Sequence, residues 1–309
     1  MELKVLAAED RDHFTRVVSL MNRPVSDMSF ANLLMWQHVY DIRWAEAEGH
    51  LCVFSMGGSG ASLFFPPMGP DPCGPVLRLC GEVLRAHGAA ALEVEIIREE
   101  ELDAFAGVGA LLQPRSGDYV YETSRMIELP GRVLGHKRQT RNAFVRKYPG
   151  ARCEVFEAAK HREECLRLFE RWLRRDEDSV EVDSKRQREI EAAIALLDLV
   201  EPLALPALVL VYEGQLIGVT VGELLREDEF VSLIEKTDRS FNGSAQFIFS
   251  EFCRICWSSV RWCNACDDWD VPSLAYTKQS YDPAFRVQKW RGVLRLDGGL
   301  GAQDTQSIS

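Results

Sequence analysis

The sequence predicts an α+β chain in two halves, each a mixed, mostly antiparallel sheet flanked by helices. Its 309 residues, 46% hydrophobic and 27% charged, suit globular units large enough to bury cores of their own. Short alternating segments follow one another directly, as in IRWAEAEG and HLCVFSM, which favours hairpins over parallel crossovers. Helical patterns also fall irregularly between the strands, unlike the strict alternation of a doubly wound sheet.

In the first half, Arg11 to Leu20 reads as a helix and SFANLLMWQHVY as a second. In the latter, Phe30, Leu33, Leu34 and Trp36 sit at helical spacing, which fits a core face or an apolar substrate wall. His38 has no partner visible in sequence. Strands IRWAEAEG, HLCVFSM and ASLFFPP follow, with a turn at Gly49. VLRLCGEVLRAHG is an amphipathic helix stopped by Gly88. ALEVEII reads as a strand, EEELDAFAG as a short helix and DYVYETSRMIEL as a strand.

A seam near Leu129 opens the second half with HKRQTRNAFVRKYPG, a helix closed by Pro149. Strand CEVFEA, helix HREECLRLFERWLRR, a charged loop around Asp176 to Asp183 and helix KRQREIEAAIALLDLV come next. Strands ALVLVYEG, QLIGVTVGELL and FVSLIEK lead to helix SAQFIFSEFCRIC, strand VRWCNA, helix SLAYTKQSY and a final segment. The expected division is therefore 1–128, 129–296 and a flexible tail, 297–309, which lacks apolar periodicity.

The balance of 36 basic against 47 acidic side chains, net -11, argues against broad nucleic-acid binding. Acids interrupt the opening MELKVLAAEDRDHF where a secretory signal needs an apolar core. No window approaches the roughly 20 apolar residues of a spanning helix. A cytoplasmic location is expected. Nine scattered cysteines fit reduced thiols better than a disulfide framework.

Against that acidic background, Leu129 to Cys153 holds seven Lys/Arg and no Asp or Glu. A helix there brings Lys137, Arg138 and Arg141 to one side, with Phe144, Val145 and Tyr148 on an adjacent side that can pack. Charge alone fits a solvated face paired with acidic loops, or a site for one anion. A second anion feature follows the strand that ends near Glu235. Asp238 and Arg239 occupy a polar loop, and Gly243, Ser244 and Ala245 open a helix whose N–H groups suit a phosphate. GNAT acyltransferases hold the coenzyme A pyrophosphate on such a turn. Here the leading Arg or Gln is replaced by Ser240, with Arg239 one place earlier, and an ordinary helix cap explains the same residues.

Several stretches together resemble one family: SFANLLMW with YDIRWAEAEGHLCVF, FFPPMG, YVYETSRMIELPGRVLGHKRQTRNAFVRKYP, IEKTDRSFNGSAQFIFSEFC and KQSYDP. They look like an uncharacterised bacterial family allied to the phosphatidylglycerol lysyltransferase C-terminal domain. The resemblance covers about Asp27 to Trp290. It implies two tandem GNAT-like units with the active site in the second, and acyl or aminoacyl transfer. It marks His136, Lys137, Arg138, Arg141 and Asn142 at the head of that unit. It also marks Glu235, Lys236, Asp238 and Arg239 at the strand end, and Lys278, Ser280, Tyr281 and Pro283 near the C-terminus. Asn264 stands where the family has an Asn, followed by Asp267, Asp268, Trp269 and Asp270 where it has an acidic pair and a glycine. The membrane-spanning half of the lysyltransferases has no counterpart in this sequence.

Acyl transfer to an amine needs a base for the acceptor and a proton for the leaving group. Glu235 is the candidate base and Tyr281 the candidate acid; an ion pair and a packed aromatic at a turn are the alternatives. Arg239, Asn242, Gly243, Ser244 and Ala245 would hold the donor. His136, Lys137, Arg138, Arg141, Asn142, Lys236, Asp238, Asn264 and Lys278 would meet anionic substrate. The donor would be acyl-CoA or aminoacyl-tRNA, with no permanently bound cofactor, and the acceptor a small molecule or lipid head group. A non-catalytic anion- or nucleotide-binding module is the rival. No metal is expected, although Cys253-x-x-Cys256 and Cys263-x-x-Cys266 have the residue type of a zinc site.

Overall fold

Alternation and turn chemistry build the strand ladders first. A computed structural model describes residues 1–58, 60–70, 74–173 and 180–295, with only the backbone for 180–185. The expected tail and residues 176–179 of the expected loop at 176–183 lie outside the described residues, whereas 180–183 are helical rather than loop, the backbone of the next helix starting at Val180.

In chain order the elements begin β1 (Lys4–Val5), α1 (Arg11–Ser19), α2 (Phe30–Met35) and α3 (Gln37–Tyr40). Then come β2 (Ile42–Ala47), β3 (His50–Ser55), β4 (Ser62–Leu63), α4 (Gly74–Ala86) and β5 (Ala91–Arg98). Next are α5 (Leu102–Gly107), β6 (Leu111–Glu122), α6 (Thr123–Glu128), α7 (Gly135–Lys147) and β7 (Arg152–Val155). α8 (Ala158–Leu173), α9 (Val180–Leu199), β8 (Ala207–Tyr212) and β9 (Gln215–Arg226) follow. The chain then forms β10 (Glu229–Thr237), α10 (Ser244–Cys256), β11 (Trp262–Asn264), α11 (Pro272–Gln279) and β12 (Phe285–Arg295).

Two compact units result, and they interleave. Among the described residues, one comprises those within 1–25, 36–118 and 287–295, and the other those within 26–35 and 119–286. A division at 128/129 follows linear order, whereas β6 starts in one unit and finishes in the other. The last strand returns to the first unit, where β12 pairs antiparallel with β5.

In the first unit the strand order is β1-β2-β3-β4-β5-β12-β6, with β4 and β5 parallel. Glu48 and Gly49, both at positive φ, make the two-residue turn that pairs Ala47 with His50. Cys52, Phe54, Val94 and Leu294 of the sheet pack on Leu77, Cys80 and Leu84 of α4. Gly88 ends that helix, as its sequence predicts.

In the second unit the order is β6-β11-β10-β9-β8-β7, antiparallel except for β10 beside β11. One apolar cluster joins Tyr119 and Tyr121 to Phe230, Phe252, Cys253 and Trp257. Another joins Phe144 of α7 to Leu210, Ile217 and Ile248. Burying a phenylalanine such as Phe144 contributes about 2–3 kcal/mol. Tyr148 is half-buried beside it, whereas Val145 is 45% exposed.

Three expected elements are corrected. The strand over 118–129 ends at Glu122, and Thr123–Glu128 form α6, which buries Thr123 and Met126 at helical spacing. Leu129, at φ 51, closes it. The helix over 29–40 divides at Trp36, whose backbone leaves the helical region at φ -95 and ψ 2, and its first part belongs to the second unit. There Glu223 accepts hydrogen bonds from Ser29 Oγ at 2.5 Å and from the Ala31 N–H at 2.9 Å. Phe30 and Leu33 are core, while Leu34 and Trp36 are half-buried. Of ASLFFPP, only Ser62 and Leu63 form a strand; Pro66 and Pro67 bring no N–H to a ladder. Among the described residues no helix is long and apolar enough to cross a membrane.

Candidate active site

In the second unit the sheet opens where two parallel strands part. β10 pairs with β11 only from Glu229 opposite Trp262 to Val231 opposite Asn264. A register shift between Ser232 and Ile234 then bends β10, which stays paired with β9 as far as Thr237. Asn264 ends β11: its Nδ2 donates to Glu229 Oε1 at 3.0 Å and its Oδ1 accepts the Cys266 N–H at 2.9 Å. Residues 232–237 therefore run on past the end of the β11 ladder, and Glu235 lies among them.

Glu235 is partly exposed, yet the protein around its carboxyl pushes its pKa up to about 8, against the pull of Lys236 and Lys278. Close by, the buried Tyr281 hydroxyl hydrogen-bonds the Gln246 side chain. Burial, and then the charge of Glu235, raise that phenol well above its ordinary range. Phe249 and Tyr121 pack on the Tyr281 ring at 5.8 and 6.1 Å between centroids. Lys137 Nζ lies 4.3 Å from the ring centroid, and partial burial lowers the lysine's pKa. Three segments distant in sequence thus meet at Tyr281: its phenol feels the Glu235 carboxyl and its ring face carries the Lys137 ammonium.

The remaining residues of the basic helix are differently engaged. Arg138 donates to the carbonyls of Leu129 and of Gly131, the latter at 3.1 Å. Arg141 donates to the Ile127 carbonyl at 2.6 Å and to Ser250 Oγ at 2.8 Å. These arginines cap the C-terminal end of α6, whose last carbonyls lack helical partners. His136 and Asn142 are exposed.

Gly243, at φ +94, meets α7 directly: a Cβ there would stand 2.6 Å from the Thr140 carbonyl oxygen and 2.8 Å from Phe144 Cβ. Gly243 and Ser244 are buried, Ala245 is half-buried, Asn242 is exposed, and the Ser244 N–H is taken by the Phe241 carbonyl at 3.0 Å. The glycine turn and the basic helix do come together, but by packing against each other.

Strand alternation sends Lys236 to a different set of partners from its neighbour Glu235. It meets Glu189 of α9 at 2.5 Å and the Trp172 ring of α8 at 4.3 Å. Asp238 pairs with Arg171 at 3.2 Å, and exposed Arg239 lies 4.6 Å from the Trp172 centroid. Lys278 Nζ donates to the carbonyls of Ala265, at 2.5 Å, and Asp267, holding the loop after β11.

The four clustered thiols do not converge. Cys253 and Cys263 are fully buried and hydrogen-bonded to each other, Cys256 is half-buried, and Cys266 Sγ donates to the Ser232 carbonyl at 3.5 Å. No three of them lie within 4.8 Å of one another. Burial pushes the Cys263 thiol well up, away from the thiolate a metal needs.

Sequence reasoning missed Gln246, Trp172, Arg171 and Glu189. Gln246 sits one turn inside the helix that begins after Gly243, so helical spacing would have drawn attention to it. The α8 and α9 residues lie some tens of residues from Arg239 in the chain, and only packing unites them.

Parting parallel strands, a carboxylate beyond the end of their ladder and a glycine turn feeding a helix define a GNAT-like fold, here in two units. A tandem GNAT protein from the clavulanic acid biosynthesis pathway superposes with a TM-score of 0.52 at 12% identity, covering 94% of this chain and 98% of its own. The phosphatidylglycerol lysyltransferase C-terminal family matches residues 18–291, and the chain belongs to that family. A conserved protein of unknown function from Bacteroides thetaiotaomicron has the same fold, with a TM-score of 0.84 and 24% identity over 96% of this chain and 100% of that one. So does the C-terminal domain of a putative lysylphosphatidylglycerol synthetase from Agrobacterium fabrum, at 0.64 and 16%, covering 97% and 96%. An uncharacterized protein of Mycoplasmoides gallisepticum is 28% identical over 181 residues, which span 58% of this chain and 57% of that protein. Family and fold both relate the chain to transferases.

Proposed function

We propose that the second unit transfers an acyl or aminoacyl group from a coenzyme A thioester or a charged tRNA to an amine or hydroxyl acceptor, including a lipid head group. One observation carries the reading: the Glu235 carboxyl, with a pKa near 8, beside the Tyr281 phenol where β10 and β11 part. The family's name and the lysylphosphatidylglycerol synthetase neighbour support it for an aminoacyl donor, and the GNAT neighbour for an acyl-CoA.

In this reading the ionised Glu235 takes a proton from the acceptor as its nitrogen or oxygen bonds the acyl carbon. The bond to the thiolate or ribose oxygen then breaks, and that leaving group takes the Tyr281 proton. At pH 7 roughly a tenth of Glu235 is ionised, so the rate rises as pH passes through 8.

The test supplies radiolabelled acetyl-CoA and lysyl-tRNA in turn, with a panel of amines and with phosphatidylglycerol vesicles as acceptors. Transfer is expected from one donor, falling roughly 100-fold or more in Glu235→Gln and in Tyr281→Phe. Failure of both donors with every acceptor, or a Glu235→Gln rate equal to wild type, refutes the reading.

A further inference from the structure

Two cations meet one indole on the α8 side of β10, and a third lines the same cleft. Lys236 Nζ and Arg239 Cζ lie 4.3 and 4.6 Å from the Trp172 centroid, and Trp172 Nε1–H donates to the Thr237 carbonyl at 3.3 Å. Arg171 adds the third charge. Two of the three are answered: Lys236 by Glu189 at 2.5 Å, and Arg171 by Asp238 at 3.2 Å. Asp238 is further engaged by Ser240, whose Oγ donates to it at 2.6 Å. Among the described residues Arg239 meets no carboxylate, only the indole.

Exposed Arg239 borders a cleft of about 310 Å³ lined by Leu168, Arg171, Trp172, Asp238, Arg239 and Ser240. A guanidinium matches phosphate oxygens with paired N–H donors, and stacking on Trp172 limits how far Arg239 wanders before a ligand arrives. The start of α10 lacks these advantages. Thr140 and Phe144 of α7 crowd Gly243, and the Ser244 N–H is already bonded.

We propose that this cleft, rather than the N-terminus of α10, binds a phosphate ester, with Arg239 as its principal ligand and Arg171 as the second. Assigning that ester to the group donor rests on the transferase reading above. The phosphates of coenzyme A and the 3′-terminal phosphodiesters of a charged tRNA share this chemistry.

The whole chain is titrated calorimetrically with acetyl-CoA and, separately, with an aminoacylated tRNA minihelix, at low and high salt. One of the two probes is expected to bind, more weakly at high salt. Arg239→Gln should weaken it at least tenfold and Trp172→Phe several-fold, while Arg146→Gln, on the exposed face of the basic helix, binds as wild type. Unfolding midpoints confirm that each variant is folded; Arg239 is exposed, so its replacement leaves the core untouched. Binding of neither probe, or equal binding by Arg239→Gln, overturns the proposal, as does loss confined to Lys137→Gln. The two readings separate: transfer unimpaired in Arg239→Gln sinks this site alone, whereas phosphate binding lost in Arg239→Gln by a chain with no transfer sinks the catalytic reading alone.

Discussion

Gly243 lies so close to the basic helix that a β-carbon on it would stand 2.6 Å from the Thr140 carbonyl oxygen. A glycine turn and a cluster of lysines and arginines suggest a phosphate cradle when read along the chain. In space, the turn is the seat on which α7 rests. Its glycine is required twice, by a φ of +94 and by the neighbouring backbone.

Gly243→Ala should therefore destabilise the second unit by at least about 2 kcal/mol, through backbone strain and the displacement of α7. Urea unfolding measures it. An unchanged midpoint would mean that α7 and α10 are not in contact at this point.

Arg141→Ala removes the donor to the Ile127 carbonyl and to Ser250 Oγ. A loss of about 1–3 kcal/mol is expected, with Arg141→Lys retaining part of it. Acetyl-CoA or minihelix affinity of the folded variant should stay within twofold of wild type. A large affinity loss at unchanged stability would make Arg141 a ligand-binding residue instead.

Glu235 gives stability a pH dependence of definite sign. Its folded pKa, about 8, lies above the ordinary 4.5. Below pH 4.5 the carboxyl is protonated in both states and costs nothing. Between 4.5 and 8 the unfolded chain ionises while the native one holds its proton, so stability falls by up to about 1.4 kcal/mol per pH unit. Above 8 the cost is constant. Glu235→Gln should abolish that slope, and urea midpoints at pH 5, 6.5 and 8 would show the two curves separating. Parallel curves would contradict the raised pKa.

Zinc should be well below one per chain in protein purified under reducing conditions, and chelators should leave the unfolding midpoint unmoved. The reason is geometric, since Cys253 and Cys263 face each other inside the core while Cys266 turns to the Ser232 carbonyl. Stoichiometric zinc, with unfolding on its removal, would reverse this view.

Element by element, the sequence was most legible where the signal is local. Gly49 and Gly88 punctuate as expected, because a left-handed turn constrains only its own residues. Strands β8, β9 and β10 fall where alternation and apolar runs put them. The helix at Thr123–Glu128 was hidden because DYVYETSRMIEL alternates well enough to pass for a strand, and its helical choice depends on burying Thr123 and Met126. Family likeness likewise drew attention to Glu235 and Tyr281 without saying what surrounds them.

Composition, periodicity and turn residues determined by themselves that this is an α+β chain with a basic helix, a strand carrying Glu235 near its end and a glycine before the next helix. Only the tertiary structure decided what each charge does. Arg138 and Arg141 close the end of a helix, Lys137 covers a tyrosine, and Arg239 rests on Trp172 beside a cleft. A side chain's charge is a property of its own residue, but whether that charge meets a carbonyl, a ring or open water depends on elements folded against it from elsewhere in the chain.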